Sequence, residues 1–411
     1  MHKNIILLGF QLWIICLLGL TCGFIFKKDI IITNAVKRIR RDGYPVEDHK
    51  VQTADGYVLT MHRIPILQKS QIYDKPPIAF LMTGIYASSD AFVFSGKDGS
   101  LPYMLSDLGY DVWMGNNRGN VYCRSHAFLT SKDREFWNFS WHEMGVYDLA
   151  SMIDYVLKHT GQSSMHFVGV SQGATILLVL TSLYPEYNIK LKTAQLLAPV
   201  AYVSNMKGPM ARIFAPILGT RNVLSMALEG SEMISTNNFF KELLALNCKD
   251  ENFRICVSRL WPAVGYETKY LNKTLLPEVL ANFPVGGSFK QMMHYLQEYN
   301  SGRFQQYNYG QLGNQVIYNS TDPPSYPLHK VTVPVFIYYS QNDYIVAVKD
   351  VAKLVKQLPN VHAVFKVPWK KWNHFDFICG LRVKEIIFDK VVDVISNYNI
   401  LFNNIKKRNK I

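Results

Sequence analysis

Met165-His166-Phe167-Val168-Gly169-Val170-Ser171-Gln172-Gly173-Ala174-Thr175-Ile176 decides how this 411-residue chain is read. Met165 to Val168 is an apolar run that suits a strand. Ala174 to Tyr184 is a longer apolar run, of helical length, stopped by Pro185. Between them, Gly169 to Gly173 makes a tight turn with Gly-x-Ser-x-Gly spacing. That spacing alone arises by accident in about one chain in ten of this length. Between a strand and a helix it means more: the glycines let the chain turn sharply, and Ser171 lifts its hydroxyl above the sheet edge at a helix start. Such a serine is a nucleophile.

The same alternation extends outward in both directions. Upstream, His49 to Thr53 and Tyr57 to Ile64 read as strands flanking the hairpin pair Asp55-Gly56. Ile78 to Met82 and Tyr110 to Met114 are short apolar runs that suit strands buried on both faces. Leu101 to Leu108 and Trp141 to His159 carry helical periodicity. Downstream, Lys192 to Leu197, Val333 to Tyr339 and His362 to Val367 read as further strands. Strand alternating with helix predicts an α/β chain with a mostly parallel sheet, here an α/β hydrolase fold. The alternation lapses between Tyr202 and Pro327, where Leu, Met, Phe and Tyr recur at helical spacing, which predicts an inserted helical cap or lid. The expected organisation is residues 1–23 a signal peptide, 24–48 an N-terminal segment, 49–201 and 328–411 the two parts of the core, and 202–327 the cap.

A serine hydroxyl needs a base, and the base needs an orienting carboxylate. In this fold they follow the nucleophile in the order acid, then histidine. Asp343 lies just past the strand ending at Tyr339, and His374 lies past the strand ending at Val367. Both fall at C-terminal strand ends, on the rim where Ser171 stands. Asp376 is the rival acid, poorly placed two residues from His374. The oxyanion of the reaction needs two backbone N–H donors. These are expected from Gln172, which follows the nucleophile, and from Ile85, in the turn Thr83-Gly84-Ile85 after an early strand.

Composition narrows partners and compartment. Hydrophobic residues make up 48% and charged residues 18%, which excludes a disordered chain. The formal charge of +13 raises nucleic acid or anionic membrane as a partner, but the excess gathers at Lys37 to Arg41 and Lys406 to Lys410 with no basic stripe between. No nucleic-acid partner is expected. Lys3 precedes an uncharged stretch from Asn4 to Phe26, a secretory signal cleaved after Gly23 or an uncleaved anchor. Lys27 and Lys28 outnumber Lys3 on the far side, which runs against an anchor. Sequons at Asn138, Asn272 and Asn319 suit the secretory pathway as glycosylation candidates. Cys248 and Cys256 enclose a short polar loop, a local disulfide in an oxidising compartment, while Cys123 and Cys379 are either free thiols or a second bridge. No close CxxC or HExxH spacing occurs, so no metal and no cofactor are expected.

With these residues in order, the sequence resembles the acid lipase family, the gastric and lysosomal acid lipases and their insect relatives. The resemblance runs from about Tyr44 to Val394. It is carried by Asp55-Gly56-Tyr57-Val58-Leu59, Arg63-Ile64-Pro65, Ala87-Ser88-Ser89-Asp90, Gly109 to Asn116, Arg118-Gly119-Asn120, Phe136-Trp137, Glu143-Met144, Tyr147-Asp148-Leu149, Ser171-Gln172-Gly173 and Asn373-His374. It implies a lipid esterase with a helical cap and no cofactor, with Ser171 as nucleophile, Asp343 as acid, His374 as base, and Gln172 and Ile85 as oxyanion donors. The Cys248 and Cys256 pair is similar to a family disulfide in the cap. Thr83 and Val170 stand where the family usually has histidines. The expected function is secreted or lysosomal hydrolysis of triacylglycerol or sterol ester at a lipid-water interface, with transient contact to a membrane or droplet surface. An esterase for smaller esters, or a lipid carrier on the same fold, are the other readings open to the sequence.

Overall fold

Among the described residues, nine strands make one sheet in the order β1-β2-β4-β3-β6-β7-β8-β9, with the short β5 paired to β2. They are β1 Glu47–Gln52, β2 Tyr57–Ile64, β3 Ile78–Met82, β4 Asp111–Gly115, β5 Ser125–His126, β6 Met165–Val170, β7 Leu191–Leu197, β8 Val335–Tyr339 and β9 Val361–Lys366. From β4 through β3 and β6 to β9 all neighbours are parallel, whereas β1 and β2 form an antiparallel hairpin at one edge. The computed structural model describes residues 34–66, 75–233, 270, 272 and 274–408. The expected signal peptide and the Cys248 and Cys256 pair lie outside these.

Burial follows from the strand composition. Every residue of β3, β4 and β6 is buried, as unbroken apolar runs in a sheet covered on both faces require. The edge strand β9 alternates exposed and half-buried positions, so its polar residues meet water. The covering helices are α1 Ala35–Arg41, α2 Leu101–Asp107, α3 Ala150–Thr160, α4 Gln172–Leu183, α10 Val348–Gln357 and α11 Asp389–Arg408. Across α4, Gln172 to Ser182 are all buried, because the helix lies between the sheet and the layers around it.

The expected helix from Trp141 to His159 is present but not uniform. Met144–Leu149 is a π-helical turn between Trp141–Glu143 and α3. Gly145 passes so close to α4 that a Cβ there would lie 2.8 Å from Val179 Cγ1 and 3.0 Å from the Ile176 carbonyl. The widened turn carries Asp148, whose carboxylate takes the Arg118 Nε–H at 2.7 Å. Asp55 accepts from the other side of the same guanidinium, and Tyr57 stacks 3.9 Å from it. Three of the motifs quoted above thus meet in one ion-pair cluster, where losing either carboxylate would leave part of the buried Arg118 guanidinium without its acceptor.

The cap interval holds α5 Pro209–Leu218, α6 Val223–Leu228, α7 Leu276–Asn282, α8 Phe289–Ser301 and α9 Gly310–Tyr318 among the described residues. Phe214 and Leu218 of α5 pack on Phe289, Met293 and Leu296 of α8 as a second apolar core. Ile213 and Ile217 point the other way and are about half exposed, at 48% and 47%. Cys123 and Cys379 are free, buried thiols. Asn138 and Asn319 are exposed and Asn272 is half-buried. No helix among the described residues is long and apolar enough to cross a membrane.

Candidate active site

Ser171 joins β6 to α4 with φ 54° and ψ −116°, a left-handed conformation that an L-residue adopts only under constraint. The flanking glycines supply the room. A Cβ on Gly169 would sit 2.7 Å from Phe167 Cε1 and 2.8 Å from the Ala174 nitrogen, and one on Gly173 would collide with the Met82 carbonyl at the end of β3. The turn is therefore compressed between two strands and its helix, and the serine is the residue pushed outward.

Asp343 and His374 arrive from two other strand ends. His374 Nε2 lies 2.9 Å from Ser171 Oγ, and His374 Nδ1 lies 2.7 Å from Asp343 Oδ2. The second oxygen of Asp343 accepts the Ile345 and Val346 N–H groups, each at 2.8 Å, which fixes the carboxylate plane. All three side chains are buried. Asp376 acts elsewhere. Its Oδ2 accepts the Asn373 N–H at 2.8 Å, while Asn373 Oδ1 accepts the Phe375 and Asp376 N–H groups. This closes the turn that presents His374.

The oxyanion candidates lie on both sides of Ser171. Gln172 is the first residue of α4, so its N–H has no acceptor within the helix. Gly84 packs against Ser171 so closely that a Cβ would be 3.0 Å from Ser171 Cβ, which brings the Ile85 turn beside the hydroxyl. Thr83 and Val170 are both buried, and neither side chain titrates.

Ser171 opens into a cavity of about 260 Å³ whose other walls are almost entirely apolar. Ile85, Val200 and Ile345 come from the core rim, and Phe214, Leu218, Met292, Tyr295 and Leu296 from the cap. Met206, Met210, Met233 and Phe289 also line it. Nothing in the sequence separated these four from ordinary cap core, since an apolar residue at helical spacing does not announce which side of the helix is hollow. Unbranched methionines let the walls of a cavity adapt their shape.

A buried serine-histidine-carboxylate relay beside an apolar slot is the arrangement of an ester hydrolase, and the sequence comparisons agree. Residues 77–380 match the alpha/beta hydrolase fold family, and residues 35–96 match the partial alpha/beta-hydrolase lipase region. The chain belongs to the α/β-hydrolase lipases. It is 43% identical to Lipase 3 of Drosophila melanogaster across 93% of this chain and 98% of that one. It is 34% identical to gastric triacylglycerol lipase of Homo sapiens across 93% and 97% of the two chains. In three dimensions it is similar to a soluble variant of monoglyceride lipase from Saccharomyces cerevisiae, with TM-score 0.51, 16% identity and coverage of 92% and 99%. This α/β-hydrolase lipase is accordingly a carboxylic ester hydrolase.

Proposed function

We propose that this lipase cleaves neutral lipid esters, triacylglycerol or sterol ester, through an acyl-enzyme on Ser171. Ser171 Oγ attacks the ester carbonyl carbon as His374 Nε2 takes its proton, and Asp343 stabilises the imidazolium that forms. The oxygen that becomes negative is held by the Ile85 and Gln172 N–H groups. The C–O bond then breaks, His374 returns the proton to the departing alcohol, and the acyl group stays on Ser171. A water deprotonated by His374 attacks that acyl carbon, the bond to Ser171 Oγ breaks as His374 returns the proton to that oxygen, and the fatty acid leaves. The observation that carries this reading is the unbroken Ser171–His374–Asp343 chain opening directly onto an apolar cavity. An apolar slot favours the alkyl part of a long-chain ester over a small polar one.

The chain acts outside the cytosol on this reading, supported by the N-terminal apolar stretch, the two exposed sequons at Asn138 and Asn319, and the Cys248 and Cys256 pair. The testing experiment exposes one portion of the protein, expressed through a secretory host, to a fluorophosphonate probe and a separate, untreated portion to emulsified triolein, cholesteryl oleate and tributyrin. Probe on Ser171 and fatty acid released from the long-chain esters support the proposal. An unlabelled Ser171, or release from tributyrin alone, overturns the nucleophile or the substrate class respectively.

A further inference from the structure

The two backbone donors proposed above belong to Ile85 and Gln172, outside the cap, yet Gln172 and the neighbour of Ile85 are gripped by one short piece of it. Tyr86, next to Ile85, has φ 53°, a left-handed backbone that persists in a tyrosine only when its surroundings hold it. Its carbonyl accepts the Val285 N–H at 2.9 Å. Its hydroxyl lies 3.1 Å from the Ser288 carbonyl and 2.9 Å from Met233 Sδ, and it donates toward these two acceptors. On the other side of Ser171, Gln172 donates its side-chain Nε2–H to Gln291 Oε1 at 3.1 Å.

Gly287 stands between these two grips. A Cβ there would lie 2.5 Å from Tyr86 Cδ1 and 2.8 Å from Gln291 Nε2, closer than packed atoms allow. The piece is itself anchored to the core, because Ser288 Oγ donates to the Trp137 carbonyl at 2.6 Å. Tyr86, Val285, Ser288 and Gln291 are all buried, so no water competes for these bonds.

We propose that the cap segment from Val285 to Gln291 is a positioning clamp for both oxyanion donors, with Tyr86 and Gln291 as positioning residues and Gly287 as the small residue that lets them sit together. The inference rests on the assignment of the Ile85 and Gln172 N–H groups to the oxyanion. Neither Tyr86 nor Gln291 touches the reacting atoms. Their effect is on the angle at which two amides meet a charge that exists only in the transition state, so it falls on kcat rather than on ground-state binding.

The test uses the full-length enzyme with a soluble butyrate ester, an alkyl boronic acid that forms a tetrahedral adduct on Ser171, and the matching alkyl alcohol. Gly287→Ala should lower kcat about ten-fold or more, a fraction of the 10²- to 10³-fold loss seen when a donor is removed outright. KM should stay within about two-fold, boronate affinity should fall by the same factor as kcat, and alcohol binding should not change. Tyr86→Phe and Gln291→Met add no bulk at the clamp and should shift kcat and boronate affinity in the same sense. They decide the matter should Gly287→Ala not fold. Unchanged kcat in the folded variants, or a kcat loss with boronate affinity intact, overturns the clamp. Ile85→Pro, which deletes that N–H, separates the two levels. Full kcat in Ile85→Pro removes the donor assignment itself, whereas a loss there with full kcat in the clamp variants removes only the clamp.

Discussion

Asp343 and His374 are joined by a 2.7 Å hydrogen bond from the ring Nδ1–H to a carboxylate whose other oxygen is already occupied by two backbone N–H groups. The carboxylate therefore has one oxygen left to give and one way to give it. Asp343→Asn should keep this geometry but favour the wrong His374 tautomer, lowering kcat by about 10⁴-fold with little change in melting temperature. Asp376→Asn should do the reverse, since Asp376 supports the Asn373 turn: its melting temperature should fall while kcat per folded molecule stays within about ten-fold. Kinetics on a soluble ester alongside thermal unfolding check both, and a reversal of the two effects would reassign the acid.

Ser171→Ala and His374→Ala each remove one proton-transfer partner and little core volume. Each should reduce ester hydrolysis by about 10⁴-fold or more while circular dichroism and melting temperature remain near wild type. Turnover above a tenth of wild type in either variant would exclude that residue from the reaction.

Glu298, on the cavity-lining helix α8, is fully buried and its Oε1 accepts the Gln305 N–H at 3.2 Å. Burial pushes its carboxyl well above the ordinary glutamate range. The folded protein thus keeps a proton that the unfolded chain sheds near pH ~4.3. The stability that proton brings is full below that point and is lost as pH rises toward the folded-state pKa, by at most about 1.4 kcal/mol per pH unit. Glu298→Gln mimics the protonated acid. Its melting temperature relative to wild type should rise between pH 4 and pH 7, and a difference that is flat with pH would show that Glu298 is not the group responsible.

The outer face of the cap carries Ile213 and Ile217 of α5 and Val223 of α6, the last 81% exposed, although the inner face of α5 lines the cavity. Exposed apolar area of this kind suits contact with a lipid surface. The double change Ile213→Ser and Ile217→Ser should lower the rate on emulsified triacylglycerol several-fold and spare a short soluble ester. An unchanged rate on the emulsion, or equal losses on both substrates, would return this face to ordinary surface. For the wild type, the rate on a sparingly soluble ester should rise once its solubility limit is passed.

The sheet and the relay were legible in the sequence because both are written locally. Short apolar runs fix strands, Gly169 and Gly173 fix the turn, and the strand ends place Asp343 and His374 on the rim. The cap was legible only as an amount of apolar surface. Whether Ile217 or Leu218 faces the hollow depends on where α8 lies, and α8 is placed by contacts across the whole insertion. The π-helical turn at Met144–Leu149 was hidden for a similar reason: Gly145 yields to α4, a neighbour that no local pattern reveals. The left-handed Tyr86 was equally invisible, since tyrosine carries no preference for that conformation.

Ser171 and His374 meet across 203 residues of chain, and the histidine follows β9, the far edge strand of the sheet. The elbow at Ser171 and the lining of the apolar cavity all belong to segments before β9, so of these parts His374 alone depends on that edge for its place. Damage confined to that edge would leave an apolar pocket with a serine in it and no partner for the serine's proton.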